Sequence, residues 1–361
     1  MMPSRLGVWP PLPLRAYARA PRRELPFPLD RTDCQLFSKA RHGLWAALPA
    51  LGLESGDEVL VPAYHHGSEI EALIQIGLTC RFYGGDEALA PDEAELESLT
   101  TPRTRALYLI HYLGFPQEVS RWRRWADERE LLLVEDAAQA WLAASAEGPV
   151  GTLGDLSLIC LYKTFGLPDG AAVLSRVPPR LSDRRPPLGA GVVARRHAAW
   201  LMERSSIMSS AGTRIRRERI YEPSVDFELG DPSALASKAT RFLLPRIADP
   251  GAAALRRANY DALLEELRDV VPSPFAELPE HASPWAFLLE SNAREEVVQH
   301  FRARGIGAYA FWLASHPATP REKFPEIALR RQRAIALPVH QELTQTAVGR
   351  IVEAARTMPR D

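Results

Sequence analysis

Between about residues 36 and 175, short apolar runs alternate with stretches whose apolar positions recur every three or four residues, the pattern of strands separated by amphipathic helices. "SKARHGLWAALPALGL" has helical spacing, "DEVLVPA" reads as a buried strand, "SEIEALIQIG" as a helix and "TCRFYGG" as a strand ended by two glycines. "RALYLIHYLG" follows as strand, "QEVSRWRRWADERE" as helix, and "LLLVEDAAQA" as a strand running into a turn. "LSLICLY" and "GAAVLS" are two more strands, and the loop between them holds Lys163. The pattern predicts an α/β fold with a mostly parallel sheet. In such sheets ligands bind beyond the carboxyl ends of the strands, so strand-end residues of this half are the candidates for chemistry.

Beyond residue 175 the pattern changes. Residues 176–230 are irregular and rich in Pro and Arg, with one helical piece near "VARRHAAWLMERSSIM"; a mobile loop and a substrate-covering insert are both open. Helices are expected at about 232–246 and 250–269. The remainder, "WAFLLES", "AREEVVQHFRARGIGAYAF", "AIALPVH" and "TQTAVGRIVEAART", alternates strand and helix as a smaller α/β domain. The expected organisation is an N-terminal arm over 1–34, a large domain over 35–248 and a small domain over 249–361. The arm, with its scattered arginines and prolines, reads as an extended segment on the globule, one that reaches a partner subunit, or a frayed tail. No run reaches the roughly 20 apolar residues of a membrane span, and the N-terminus lacks an apolar core of signal-peptide length.

Charge narrows the function. The 44 basic and 45 acidic residues give a net charge of -1 and are interspersed, which argues against nucleic acid or a membrane surface as the main partner and leaves small molecules. The three cysteines, Cys34, Cys80 and Cys160, are widely separated and offer neither a disulfide framework nor a zinc spacing, which fits a reducing cytoplasm. Of the 44 basic residues only Lys39, Lys163, Lys238 and Lys323 are lysines. A lysine at the mouth of a sheet, flanked by Leu161, Tyr162 and Phe165, therefore stands out. Desolvation disfavours an ammonium and frees an amine to attack a carbonyl, which a guanidinium cannot do. A surface lysine in a loop is the alternative.

Asp136 ends the strand "LLLVEDAAQA", where a carboxylate is costly unless it meets a cation or strong donors. It could instead cap the turn that "AAQA" begins. A strand-end Asp 27 positions before a strand-end Lys is the pairing that a pyridoxal phosphate site requires. The lysine binds the cofactor's aldehyde, and the acid keeps the pyridine nitrogen protonated so that the ring accepts electrons.

"GDEVLVPAYHHGSEIEAL", "RALYLIHYLGFPQ", "LLLVEDAAQA", "VGTLGDLSLICLYKTFGLPDGAAVLS" and "IALPVHQEL" resemble, in order and spacing, the DegT/StrS aminotransferases of the aspartate aminotransferase fold (fold type I). The resemblance covers about 38–175 and 285–357. It implies pyridoxal 5'-phosphate as cofactor, an amino-acid donor such as glutamate or glutamine, a keto or aldehyde acceptor that can be a nucleotide-linked sugar, and a homodimer. Position by position it implies Lys163 as the lysine bound to the cofactor, Asp136 at the pyridine nitrogen, Gln139 near the ring hydroxyl, and His66 over the ring face, where a helix-capping or core histidine is the alternative. His65 stands where the family has a small hydroxyl residue. Members that act as sugar dehydratases carry histidine in place of the lysine, so Lys163 argues for amino transfer.

At the phosphate end the chain departs from the family. The usual serine-glycine-threonine turn is replaced by "SKARHG", so Arg41, with Ala40 before it, is the candidate contact and Lys39 the competitor. Cys160 stands where a phosphate-binding serine is common, and its thiol is the poorer donor. The glycine-tyrosine-asparagine motif of sugar-binding members has no counterpart, and "AGTRIRRERIYEP" occupies roughly its place. His111 could line the pocket or be structural; His340 reads as a packing feature. Other chemistry at the α-carbon, as in a lyase or racemase, and a non-catalytic binding relative remain the alternative readings.

Overall fold

Apolar runs of the first half form strands buried on both faces, as a sheet covered by helices demands. The computed structural model describes residues 6–181, 185–204 and 223–360. In chain order the first half contains β1 (Gln35–Phe37), α1 (Ala40–Ala50), β2 (Glu58–Pro62), α2 (Ser68–Ile76), β3 (Thr79–Tyr83), α3 (Glu93–Leu99), β4 (Thr104–Ile110), α4 (Val119–Asp127) and β5 (Leu132–Asp136). A small ribbon of β6 (Ala144–Ser145) and β7 (Gly148–Pro149) follows, then β8 (Leu156–Cys160), the single turn α5 (Leu161–Thr164) and β9 (Ala171–Ser175). The large sheet has the order β1-β9-β8-β5-β4-β2-β3. The pairs from β8 through β5, β4 and β2 to β3 are parallel, and β9 pairs antiparallel with both β8 and β1. All five residues of β2 and of β8 are buried.

Helices cover this sheet through their apolar stripes. In α4 the buried residues are Val119, Trp122, Trp125 and Ala126, spaced three and four apart, while its arginines face outward or pair with acids. Gly67 sits at the start of α2 with φ +117°, and a Cβ there would lie 2.4 Å from the Phe227 ring, so only glycine fits both the backbone and the packing.

Several elements differ from the sequence expectation, among them the unpredicted helix Pro325–Arg333 and the β6/β7 ribbon. Lys163 lies in the helical turn α5 rather than in an open loop, α3 fills residues that carried no prediction, and β1 adds an antiparallel edge. The helix at Ala190–Arg204 matches the helical piece expected there. The Arg-rich "AGTRIRRERIYEP" falls, apart from Pro223, outside the described residues.

The C-terminal part has a three-stranded antiparallel sheet of β10 (Ala286–Glu290), β11 (Tyr309–Ala310) and β12 (Ala334–Pro338) in the order β10-β12-β11. Helices Ala252–Leu267, Arg294–Ala303 and Pro325–Arg333 pack against it, and Gln345–Arg356 packs on the first two. The N-terminal arm runs along this part: Leu6 bridges Ile306, Trp9 stacks on Tyr309 at 5.4 Å, and His340 Nε2 lies 3.0 Å from the Gly7 carbonyl. Its short helix Leu14–Ala18 then packs on the helix Lys238–Ile247.

The His340 contacts make the fold acid-sensitive. Nδ1 accepts the Glu342 N–H, so Nε2 carries the hydrogen given to Gly7, and protonating Nδ1 breaks the first bond. Burial, assisted by the charge of Arg256, pushes the imidazole down to about 3. A histidine lowered on folding contributes stability that is present above its unfolded value near 6.5 and is lost as pH falls toward the folded value. The loss is up to about 1.4 kcal/mol per pH unit for each such group. Urea unfolding at pH 7 and pH 5 should show the midpoint falling with acid, and His340→Gln should shrink that difference.

Candidate active site

Beyond the carboxyl ends of β5 and β8 opens a cleft with about 650 Å³ of empty space, including its open mouth, within the range of small-molecule sites. Asp136, Ala138, Gln139, Cys160 and Lys163 line it together with Lys39, Ala40, Arg41 and His66. Every residue that the sequence assigned to the cofactor thus faces one space. Their positions follow from register: Asp136 pairs with Ile110 and Leu158 at the end of its strand, and Lys163 stands three residues past the end of β8.

Lys163 is fixed from below by its backbone. Trp285 Nε1–H donates to its carbonyl at 3.0 Å, and Arg256 and Gln341 donate to the Thr164 carbonyl at 2.7 and 3.0 Å. The carbonyls left open at the end of a one-turn helix are therefore satisfied by side chains from the C-terminal part. Asp136 uses both oxygens. Oδ1 accepts the Ala138 N–H at 2.8 Å, the turn cap that sequence allows, and Oδ2 accepts the Tyr108 hydroxyl at 2.6 Å. Burial and the adjacent Asp136 charge push the Tyr108 phenol well above its ordinary range, so it stays a donor.

Gln139 is buried, and its Oε1 accepts the Leu113 N–H at 2.9 Å, which leaves the amide NH₂ as the donor end in a residue that lines the cleft. His66 is boxed edge-on by Phe227 at 5.8 Å and Trp312 at 6.4 Å. Burial and the cations Lys163, Arg41 and Arg331 push its imidazole down to about 3, so it is neutral at physiological pH.

At the other end the cleft meets the start of α1, where unpaired N–H groups and the helix dipole favour an anion. Lys39 is the N-cap residue, and burial and the neighbouring Arg41 lower its ammonium. Arg41 lines the cleft, but its Nη1 is shared by the carbonyls of Asp226, at 3.2 Å, and Glu228, at 2.5 Å. That guanidinium also staples the segment 226–229 to α1, as does His42 through the Leu229 carbonyl at 2.8 Å. Cys160 is buried, and burial raises its thiol, so it is not a thiolate nucleophile.

The other histidines lie elsewhere. His65 is fully buried and meets Thr319 Oγ1 at 2.9 Å. His111 accepts the Gln117 N–H at Nδ1 and pairs with Glu135 through Nε2 at 3.2 Å, a structural tie that also holds the loop 151–154, whose Gly151 and Leu153 N–H groups donate to the same carboxylate.

Sequence reasoning missed Tyr108, Ser68, Glu69 and Trp312, all of which line the cleft. Tyr108 lies two residues before the end of β4, inside the strand, so the strand-end rule that found Asp136 passed over it. Trp312 carried no local signal: it comes from the C-terminal part with φ +46° and stacks on Phe311 at 4.7 Å. Arg331 joins its loop to the large sheet. The buried guanidinium donates to the carbonyls of Trp312 at 2.7 Å and Ala314 at 3.1 Å on one side, and of Ala63 at 3.1 Å and His65 at 2.9 Å on the other. Arg331→Met strands these acceptors and is expected to lower stability by about 3 kcal/mol, read from urea unfolding, with Arg331→Lys recovering less than half.

The donor set fits pyridoxal phosphate: an amine and a carboxylate in one cleft, a fixed amide donor and a helix start with two cations. Among the described residues no group of three His, Cys, Asp or Glu could hold a metal, and no helix is long and apolar enough to cross a membrane. Residues 31–178 match the model of the DegT/DnrJ/EryC1/StrS aminotransferase family. Among solved structures, S. venezuelae DesV in complex with a ketimine intermediate is 23% identical at a TM-score of 0.64, over 90% of this chain and 84% of that one. The sugar aminotransferase CalS13 from Micromonospora echinospora is 20% identical at 0.65, over 99% and 100%. The putative sugar aminotransferase Spr1654 from Streptococcus pneumoniae, in its PMP form, is 15% identical at 0.68, over 98% and 97%. These likenesses establish the fold, type I of the aminotransferases.

Proposed function

We propose that the chain, whose residues 31–178 match the model of the DegT/DnrJ/EryC1/StrS aminotransferase family, is a pyridoxal-phosphate-dependent member of that family that moves an amino group from glutamate or glutamine to a ketone or aldehyde acceptor. The observation that carries this reading is the meeting of Lys163 and Asp136 in one cleft beyond the strand ends. When bound there, pyridoxal 5'-phosphate supplies an aldehyde and a ring able to hold electrons released at a substrate carbon.

In this reading Lys163 would bind the cofactor's aldehyde, and its amine would carry a proton between the donor's α-carbon and the cofactor. The Asp136 carboxylate, oriented by Tyr108 and the Ala138 N–H, would keep a proton on the ring nitrogen. The Gln139 amide would donate to the ring hydroxyl, His66 would lie over the ring face, and the start of α1 with Lys39 and Arg41 would receive the phosphate. Cys160 neighbours that end without donating as strongly as a hydroxyl. A sugar-type acceptor is supported by the sugar aminotransferases among the similar structures. Division into an arm, a large domain and a small domain, a homodimeric assembly and a cytoplasmic location belong to the same reading.

The test is spectroscopic. Purified protein loaded with pyridoxal phosphate should show a visible band that converts on adding glutamate or glutamine, with release of the matching 2-oxo acid. A band that no amino donor alters excludes amino transfer, and a protein that takes up no cofactor excludes the whole reading.

A further inference from the structure

The N-terminal arm, to which the proposed reaction gives no part, reaches the lysine turn by three separate routes. Trp9 meets the Trp285 indole edge to face at 5.4 Å, and Trp285 Nε1–H is the donor to the Lys163 carbonyl. The Gly7 carbonyl accepts His340 Nε2–H at 3.0 Å, and the next residue, Gln341, donates to the Thr164 carbonyl and accepts Arg256 Nε–H at 2.8 Å. Gly166 lies directly on the arm backbone. A Cβ there would stand 2.4 Å from the Leu12 nitrogen and 2.5 Å from the Pro11 carbonyl, so only glycine lets the two segments of chain touch. Leu12, Phe165 and Leu167 are buried in one apolar cluster beside this contact. A single helical turn fixes several dihedrals for one hydrogen bond and does not hold itself. α5 is four residues long, so its order comes from what packs on it.

We propose that residues 6–12 are a strap that positions Lys163, with Trp9 as its anchoring residue. Trp9 does not line the cleft; it acts by keeping the Trp285 indole where its N–H reaches the lysine carbonyl. The consequence rests on the reading of Lys163 as the amine that binds the cofactor's aldehyde. A lysine held at its own carbonyl and at the next one projects its amine from a fixed backbone, as attack on a carbonyl carbon requires. Trp9 is 44% exposed, so replacing it removes the contact with little loss of core.

Hydrogen–deuterium exchange on the cofactor-free full chain, read by mass spectrometry, tests the strap. In Trp9→Ala, exchange of the peptide 161–167 should rise about tenfold, the effect of one lost aromatic pair, while β2 and β3 exchange as in wild type. Trp9→Phe, which keeps a ring against Trp285, should stay within about threefold of wild type, and Gly166→Ala, which forces arm and turn apart, should match Trp9→Ala. In protein loaded with pyridoxal phosphate, Trp9→Ala should also move the pH at which the visible band changes by about half a unit, because a displaced lysine nitrogen meets the charges of the cleft at new distances. Unchanged exchange at 161–167 in Trp9→Ala overturns the proposal, as does a rise spread evenly over the sheet or a band whose pH midpoint stays at the wild-type value. The exchange measurement uses no cofactor: local loosening in a protein that shows no amino transfer refutes the reading of the lysine and keeps the strap.

Discussion

Lys163→Arg is expected to abolish the donor half-reaction, with a fall of about 10⁴-fold or more in the rate of cofactor conversion by glutamate. Arginine keeps the positive charge and most of the length, so any role as a mere cation would survive. What it loses is a primary amine, the group that carbonyl attack and proton transfer at carbon use and that a guanidinium cannot replace. The substitution should leave the fold alone, because α5 is held through the carbonyls of Lys163 and Thr164 and not through the lysine side chain. The check is a pair of measurements on the same preparation: an unchanged urea midpoint, and single-turnover absorbance after glutamate. A rate within tenfold of wild type removes Lys163 from the chemistry.

The second large effect is at Asp136. Asp136→Asn removes the charge that would hold the ring nitrogen protonated, and the expected loss in the same half-reaction is roughly 10²–10³-fold. Asparagine also disturbs a hydrogen bond, since its NH₂ must face either the Tyr108 hydroxyl or the Ala138 N–H, both donors. Tyr108→Phe separates the two effects by deleting the hydroxyl while keeping the charge, and it should cost only about tenfold. If Asp136→Asn costs no more than Tyr108→Phe, orientation and not charge is what the site draws from this residue.

These residues divide by how they can be read. Lys163 and Asp136 were legible because each breaks a local rule: a lysine in a chain that otherwise prefers arginine, and an acid at the end of a buried strand. Gln139 and His66 became legible only through the family resemblance, since neither residue type is unusual by itself. Arg41 was legible as a cation at a helix start, but its bonds to the Asp226 and Glu228 carbonyls were not, because they join positions 185 and 187 residues apart. Glu69 drew no reading from the sequence, and its burial in the cleft wall exists only once α2 is packed in place.

The sequence alone determined the α/β pattern, the order of the main strands of the first half and the pair of groups able to run the chemistry, because these depend on periodicity and on residue type over short spans. Tertiary structure decided the shape of the cleft around that pair. Trp312 and the Arg331 clamp come from the far end of the chain, and the contacts holding Lys163 come from Arg256, Trp285 and Gln341. Such contacts are set by how two sheets and their helices pack, which side-chain identity along the chain does not encode locally.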